Sequence, residues 1–132
     1  MHIGIDLGAT KIESVVLEKN GSELFRNRED SPKSYQETLE VITKIVNDIE
    51  KNFKKNLNVG IGHPGSTNVD TDLIQNAFNS PWLNNNNLSK DISKKLNRKI
   101  FCENDANCFA LSEAFDGAAK DYKTVFGIIL TL

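Results

Sequence analysis

The fold is decided by residues 2–28, which read HIGIDLGATKIESVVLEKNGSELFRNR. Apolar and β-branched residues predict strands in three parts of this stretch, at residues 2–6, 11–17 and 22–28. A short turn containing Gly8 joins the first two strands, and the last two are joined by Asn20-Gly21, a pair typical of tight hairpins. We therefore expect an antiparallel meander of three strands in sequence order.

A helix is predicted directly after this meander. Ser34 and Glu37 have the spacing of a capping box, and apolar residues recur at helical intervals as far as Phe53. Farther along, the patterns predict strands at residues 57–62, 99–103 and 124–130 and helices at residues 88–96 and 104–117. Because strands that alternate with helices form parallel sheets, the predicted fold class is α/β. We expect a ribonuclease-H-like lobe, in which a mixed sheet combines the N-terminal antiparallel meander with parallel strands and flanking helices.

Residues 68–87 are polar and end in four consecutive asparagines, so we expect a surface loop with one short strand near Leu73-Ile74. Its middle part places several amide side chains beside Trp82. Amides next to an aromatic ring suit a sugar, which offers hydroxyls in its plane and C–H groups on its faces. Trp82 fits an ordinary core position equally well, and we favour that role for the residue itself.

The composition excludes several classes of protein. The chain has 132 residues, 39% hydrophobic and 26% charged, with a formal net charge of −2, so it lacks the basic excess typical of nucleic-acid-binding proteins. Its longest apolar run, residues 125–130, is too short to cross a membrane, and no targeting segment precedes the first strand. Cys102 and Cys108 form no disulfide framework and lie far from both histidines, so we expect structural thiols and no metal site. We expect a cytoplasmic protein that binds neither nucleic acid nor membranes.

The turn between the first two predicted strands is a candidate phosphate-binding loop. A glycine turn brings backbone N–H groups to the surface, where Thr10 adds a hydroxyl and Lys11 a charge. Asp6, at the end of the preceding strand, has the position of a carboxylate that holds hydrated Mg²⁺ near a phosphate. The same residues also fit a plain hairpin turn, and spacing alone favours that alternative.

Residues 60–65, GIGHPG, match the pattern G-x-G-x-x-G of dinucleotide-binding proteins. That pattern requires a helix to begin at the loop, whereas the residues that follow here are polar and have no helical period. We therefore reject a dinucleotide site. The Pro64-Gly65 corner nevertheless follows a predicted strand, at the edge of the sheet where ligands of α/β proteins bind.

A polar cluster, residues 103–107, lies between a predicted strand and a predicted helix. Asn104 or Asp105 fits the N-cap of that helix. A carboxylate at this position also fits a general base that accepts a proton from a sugar hydroxyl, with Asn104 binding a second hydroxyl. From the residues alone the two interpretations are balanced.

Taken together, these four segments resemble the N-terminal half of the ROK family of sugar kinases, in the actin-like ATPase superfamily. The resemblance covers essentially the whole chain, and the order and spacing of the motifs are more specific than any one motif. Residues 76–84, NAFNSPWLN, followed by residues 104–108, NDANC, look most like the bacterial fructokinase and N-acetylhexosamine kinase branch.

The resemblance implies roles for individual residues. Asp105 matches the catalytic base that deprotonates the attacking sugar hydroxyl. The residues that match the sugar pocket are Asn104, Pro64, Gly65 and Asn79. The residues that match the first phosphate loop of the ATP site are Asp6, Gly8, Thr10 and Lys11. The implied activity is ATP- and Mg²⁺-dependent phosphorylation of a hexose, with a fructokinase-like specificity.

Departures from the family pattern qualify this expectation. Ala9 stands where the family usually has a second glycine, and His63 replaces a usual aliphatic residue and is assigned no role. Residues 130–132, Leu-Thr-Leu, stand where a second glycine-rich phosphate loop would begin. We therefore expect residues 1–132 to be the N-terminal lobe of such a kinase, without the C-terminal lobe that carries the family's structural zinc site and most of its dimer interface. The alternatives are an inactive truncated lobe and a non-catalytic sugar-binding module.

Overall fold

The computed structural model describes residues 1–104, which form a mixed sheet packed against two helices. In chain order the strands are β1 His2–Leu7, β2 Lys11–Leu17, β3 Glu23–Asp30, β4 Asn58–His63, β5 Ser66–Thr67, β6 Ile74–Gln75 and β7 Phe101–Asn104. The helices are α1 Tyr35–Phe53 and α2 Leu88–Leu96, with a short 3₁₀ helix at Pro81–Leu83. Within this part of the chain, no helix is both long and apolar enough to cross a membrane.

The main sheet confirms the predicted mixed topology. Its strand order is β3-β2-β1-β4-β7, in which β1, β2 and β3 pair antiparallel while β1, β4 and β7 are parallel. Strand β3 lies at one edge, and every residue in it except Phe25 is exposed. The helix and strand predicted at residues 104–117 and 124–130 lie outside the described residues, apart from Asn104, which is the last residue of β7.

The second hairpin of the meander is looser than predicted. Five residues separate β2 from β3, and Gly21 alone among them has a positive φ, 87°. The Gly21 N–H donates to Glu18 O at 3.0 Å, and the Glu18 N–H donates to Ser22 O at 2.9 Å. A two-residue type I′ turn requires positive φ at both central positions. The connection is therefore a wider loop, and the β2–β3 register shifts by a bulge between Val16 and Leu17.

The core lies between the sheet and the helices. Strands β1 and β4 contribute a row of isoleucine and valine side chains that are at most 1% exposed: Ile3, Ile5, Val59 and Ile61. Helix α1 covers this row with its own buried apolar residues, Leu39, Ile42, Ile45, Val46 and Ile49. Full burial of one such side chain stabilises the fold by about 1.5–3 kcal/mol. Helices α1 and α2 also contact each other, and Tyr35 Oη donates to Asp91 Oδ2 across that contact.

Hydroxyls of α2 hold β7 in place at the far side of β4. The Ser89 hydroxyl donates to Ile100 O at 2.9 Å, and the Ile100 N–H donates to Ser93 Oγ at 3.0 Å. The helix ends at Asn97 in the left-handed conformation, and an ion pair of 2.6 Å joins the following Arg98 to Glu50 of α1. These bonds determine where Asn104, the last residue of β7, lies.

The Asn-rich segment is more ordered than a plain surface loop. Its four consecutive asparagines each make a different bond: Asn84 Oδ1 accepts from Ala77 N, Asn85 N donates to Ile74 O, Asn86 Nδ2 donates to three carbonyls and Asn87 Oδ1 caps α2. The predicted short strand is confirmed as β6. Residues 66–67, for which the sequence predicts no strand, form β5, which pairs with β6.

The start of α1 provides a stability prediction. Ser34 Oγ accepts from the Glu37 N–H at 3.2 Å and so satisfies one of the unpaired amides of the first turn. We expect Ser34→Ala to lower the free energy of unfolding by about 1 kcal/mol, measured by urea denaturation. Ser22→Ala, at an exposed loop position, is the matched control with a change under about 0.5 kcal/mol. Equal effects of the two substitutions would contradict the capping role.

Candidate functional site

Three of the segments singled out in the sequence, the β1–β2 turn, the Pro64-Gly65 bend and the end of β7, lie at the carboxyl edge of the three parallel strands. Asp6 of β1 is in register with Gly62 of β4, and His63 of β4 is in register with Asn104 of β7. Strands β1 and β7 are two strand spacings apart, about 10 Å. This is the edge at which α/β sheets bind ligands, so the site has one side on β1 and another on β7.

The β1–β2 turn is held closed from two directions. The Gly8 N–H donates to Lys11 O at 3.0 Å, and a Cβ at Gly8 would lie only 2.7 Å from that same oxygen. After β3, the Ser31 hydroxyl donates to Gly8 O at 2.7 Å and the Ser31 N–H donates to Thr10 O at 2.9 Å. Within residues 1–104 the N–H groups of Ala9 and Thr10 have no hydrogen-bond acceptor. Two adjacent backbone amides at the tip are therefore available to an anion such as a phosphate.

Asp6 lies beside this turn in a partly desolvated position. Burial raises the pKa of its carboxyl, and the positive charge of Arg28 acts in the opposite direction. A carboxylate that has lost part of its hydration is stabilised by a nearby cation. The described residues contain no cluster of three or more His, Cys, Asp or Glu side chains able to hold a metal ion. Mg²⁺ commonly keeps several waters and binds through one or two carboxylates plus substrate phosphates. Asp6 could supply one such carboxylate.

Lys11 lies at the turn but points along the sheet surface. Its ammonium forms an ion pair with Asp30 across β2 and β3, and this contact lowers the pKa of the Asp30 carboxyl. Both side chains are substantially exposed, and exposed pairs of this kind add little stability. The ammonium can therefore leave Asp30 for a phosphate at little cost.

The Pro64-Gly65 bend joins β4 to β5 and belongs to the predicted sugar pocket. Gly65 has φ +79°, and a Cβ there would lie 2.5 Å from Gln75 O and 3.0 Å from Ala77 N. Only glycine fits this close approach of the bend to β6. The Asn104 side-chain amide donates to Gly65 O, so the end of β7 is bonded directly to the bend. The structure thus brings together three of the four residues predicted for the sugar pocket.

Asn79, the fourth, lies two residues beyond Ala77 in an exposed loop. No hydrogen bond of the described residues uses its side chain, and its neighbour Phe78 is 84% exposed. Trp82 is half-buried against the core, as expected for a core position. Asp105, the predicted base, lies outside the described residues and follows Asn104 directly in the chain.

His63 is a residue of this edge to which the sequence assigned no role. Its side chain is buried, and Nδ1 donates to Pro64 O at 2.9 Å. Burial lowers the pKa of the imidazole, while the bond to Pro64 and the charge of Glu103 act in the opposite direction. The ring borders a cavity of about 320 Å³, which also contacts residues of β5, α2 and β7. One sequence signal could have singled out His63: it continues the alternating row of Val59 and Ile61 in β4 but is polar.

The sequence matches the model of the ROK family over residues 2–131. It is 42% identical to an N-acetyl-D-glucosamine kinase of Histophilus somni and 40% identical to one of Haemophilus influenzae, each over 131 residues and 98% of this chain. These residues amount to 43% of each kinase, so the chain spans less than half the length of these curated relatives.

Solved structures give the same result. The fold is similar to that of a ROK family glucokinase from Streptomyces griseus in complex with glucose and AMPPNP, with a TM-score of 0.76 and 26% identity over 90% of this chain and 38% of that one. A ROK hexokinase from Thermus thermophilus matches with a TM-score of 0.73 and 26% identity, over 85% of this chain and 37% of the other. The chain therefore belongs to the ROK family and has the actin-like ATPase fold of its sugar kinases.

Proposed function

We propose that the protein phosphorylates a hexose with ATP, and that N-acetyl-D-glucosamine is its preferred sugar. The observation that carries the proposal is the shared carboxyl edge: β1 leads into a turn with two backbone N–H groups that bond nothing within residues 1–104, and β7 ends at Asn104, which is bonded to the Pro64-Gly65 bend. A kinase needs phosphate and sugar binding on neighbouring strands, since the two reactants must meet in one orientation.

The chemistry would proceed on the β7 side. The Asp105 carboxylate takes the proton of a sugar hydroxyl while that oxygen attacks the γ-phosphorus of ATP, and the bond to the β-phosphate oxygen breaks to release ADP. Asn104 binds a second hydroxyl of the sugar. Its bond to Gly65 O fixes the orientation of the amide, so the sugar meets a preformed group.

The β1 side would hold the nucleotide. The amides at the tip of the turn and the Thr10 hydroxyl bind phosphate oxygens, and Lys11 adds a positive charge. Asp6 would hold hydrated Mg²⁺, which would neutralise charge on the phosphates. Gly8 shapes this turn, because the turn can close as it does only without a Cβ at that position.

Two sugars are candidates for the substrate. The family resemblance of the motifs implies a fructokinase-like specificity, whereas several relatives that are 36–42% identical are named N-acetyl-D-glucosamine kinases. Sites that hydrogen-bond a substrate group reject analogues that lack the group, so the acetamido function is a strong basis for selection. We therefore place N-acetyl-D-glucosamine before fructose.

A substrate panel tests the activity. For the full-length protein that contains residues 1–132, with MgATP, we expect kcat/KM for N-acetyl-D-glucosamine to exceed that for fructose and glucose by at least about tenfold. A preference for fructose would establish the fructokinase alternative. Sugar binding by calorimetry without any turnover would contradict the kinase proposal and favour a binding module.

Asp105→Asn tests the general base. The amide keeps the size of the side chain but cannot accept the proton, so we expect kcat to fall by about 10²–10⁴-fold while the sugar still binds. Asp48→Asn is the control, because Asp48 is an exposed residue of α1 whose one ion pair within residues 1–104 is with Lys44, and the change should leave kcat unchanged. Activity of Asp105→Asn close to wild type would refute the assignment.

Asp6→Asn tests whether this carboxylate serves the ligand at the expense of stability. Because burial raises the pKa of Asp6, its charge destabilises the folded state once the pH exceeds the ordinary carboxyl pKa, and fully so above the raised value. At pH 7 we expect the variant to be more stable, with a free energy of unfolding about 0.5–1 kcal/mol above that of wild type.

The difference should disappear as the pH falls below the ordinary carboxyl pKa, where Asp6 is protonated in both states. Denaturation curves at several pH values measure it, and kinase assays should show a raised KM for MgATP. A variant less stable than wild type at pH 7 would show that the Asp6 charge is a structural element.

A further inference from the structure

We propose that His63 is a positioning residue for the sugar site: its Nδ1–H holds the Pro64 carbonyl and so fixes the bend to which Asn104 is bonded. The sugar-binding part of this inference rests on the proposed function. His63 touches neither reactant in this scheme, and it acts through the peptide that follows it.

The bonds form a continuous path from His63 to Asn104. Nδ1 of His63 is 2.9 Å from Pro64 O, and the carbonyl of the next residue, Gly65, accepts from the Asn104 side chain. A carbonyl oxygen can only accept, so the proton of the neutral imidazole must reside on Nδ1. The bond therefore sets the tautomer of His63 as well as the direction of the carbonyl.

The direction of that carbonyl matters because a Pro-Gly bend can adopt more than one turn geometry. Pro64 followed by a glycine with φ +79° is the residue pair of a type II turn. Rotation of the central peptide converts such a turn to another type, and glycine allows it with little steric resistance. The peptide is planar, so a fixed Pro64 C=O also fixes the opposite direction of the Gly65 N–H. The imidazole thus selects one of two orientations of the Pro64–Gly65 peptide, which directly precedes the carbonyl that Asn104 bonds.

The surroundings of the ring allow substitutions without a clash. His63 borders the cavity of about 320 Å³, whose other walls include Thr67, Ser89 and Cys102. The alternative role is that of a buried residue that only fills space. If His63 only filled space, the effect of a substitution would depend on the volume of the new side chain and not on the position of its hydrogen-bond donor. Substitutions that move the donor therefore separate the two roles.

Two amide substitutions place a donor at different points. In His63→Asn the side-chain nitrogen occupies the position of Nδ1, whereas in His63→Gln it reaches the position of Nε2 and cannot meet Pro64 O in the same way. In the full-length protein we expect His63→Gln to raise KM for the sugar by about three- to tenfold, with KM for ATP unchanged. His63→Asn should stay within about twofold of wild type. Equal effects of the two variants would overturn the proposal.

A measurement without turnover follows the same bonds. In ¹⁵N NMR spectra of the full-length protein we expect the Nδ1–H tautomer for His63, and slower solvent exchange of the Asn104 side-chain amide in wild type and His63→Asn than in His63→Gln. An Nε2–H tautomer, or the same exchange in all three proteins, would refute the positioning role. The expected spectra in a protein that neither binds nor phosphorylates any sugar would overturn the proposed function, and with it the sugar-binding half of this inference.

Discussion

The parallel pairing of β1, β4 and β7 is the constraint on which the remaining arrangement depends. In a parallel set, all carboxyl ends meet at one edge, and here that edge collects the β1–β2 turn, the Pro64-Gly65 bend and the end of β7. Strand β1 is also paired antiparallel to β2, so one strand belongs to both halves of the sheet. The meander therefore positions the β1–β2 turn, where we propose phosphate binding, and the crossover through α2 positions Asn104, on the proposed sugar side.

Local patterns in the sequence predicted the large elements well. The meander, α1 and α2 are all signalled by residues close together in the chain: strand runs, the Ser34 cap and helical periodicity. Their boundaries agree with the structure to within one or two residues. Such elements can be predicted because their main signals, a cap or a repeating apolar face, lie within the element itself.

The parts that escaped prediction depend on contacts between distant residues. Strand β5 forms because Gly65 allows the chain to approach Gln75. Residues 66–67 themselves carry no sequence pattern that predicts this contact. The Ser31 bonds that close the β1–β2 turn join residues more than twenty positions apart. The role of His63 depends on the direction of a single carbonyl. The positions of Asp6, Gly65 and Asn104 at one edge of the sheet were nevertheless predicted, because each lies at or just after the end of a strand.

The exposed strand β3 has a consequence for the behaviour of the protein in solution. An edge strand presents unpaired backbone groups that can pair with another molecule, and charged side chains are a common protection against that aggregation. In β3 five of the eight residues are charged, and Arg26 forms ion pairs with Glu13 on the neighbouring strand and with Glu23 on its own. The charges are of both signs and only Phe25 is half-buried, so within residues 1–104 the strand can remain an unpaired edge of the sheet with little tendency to pair with another molecule.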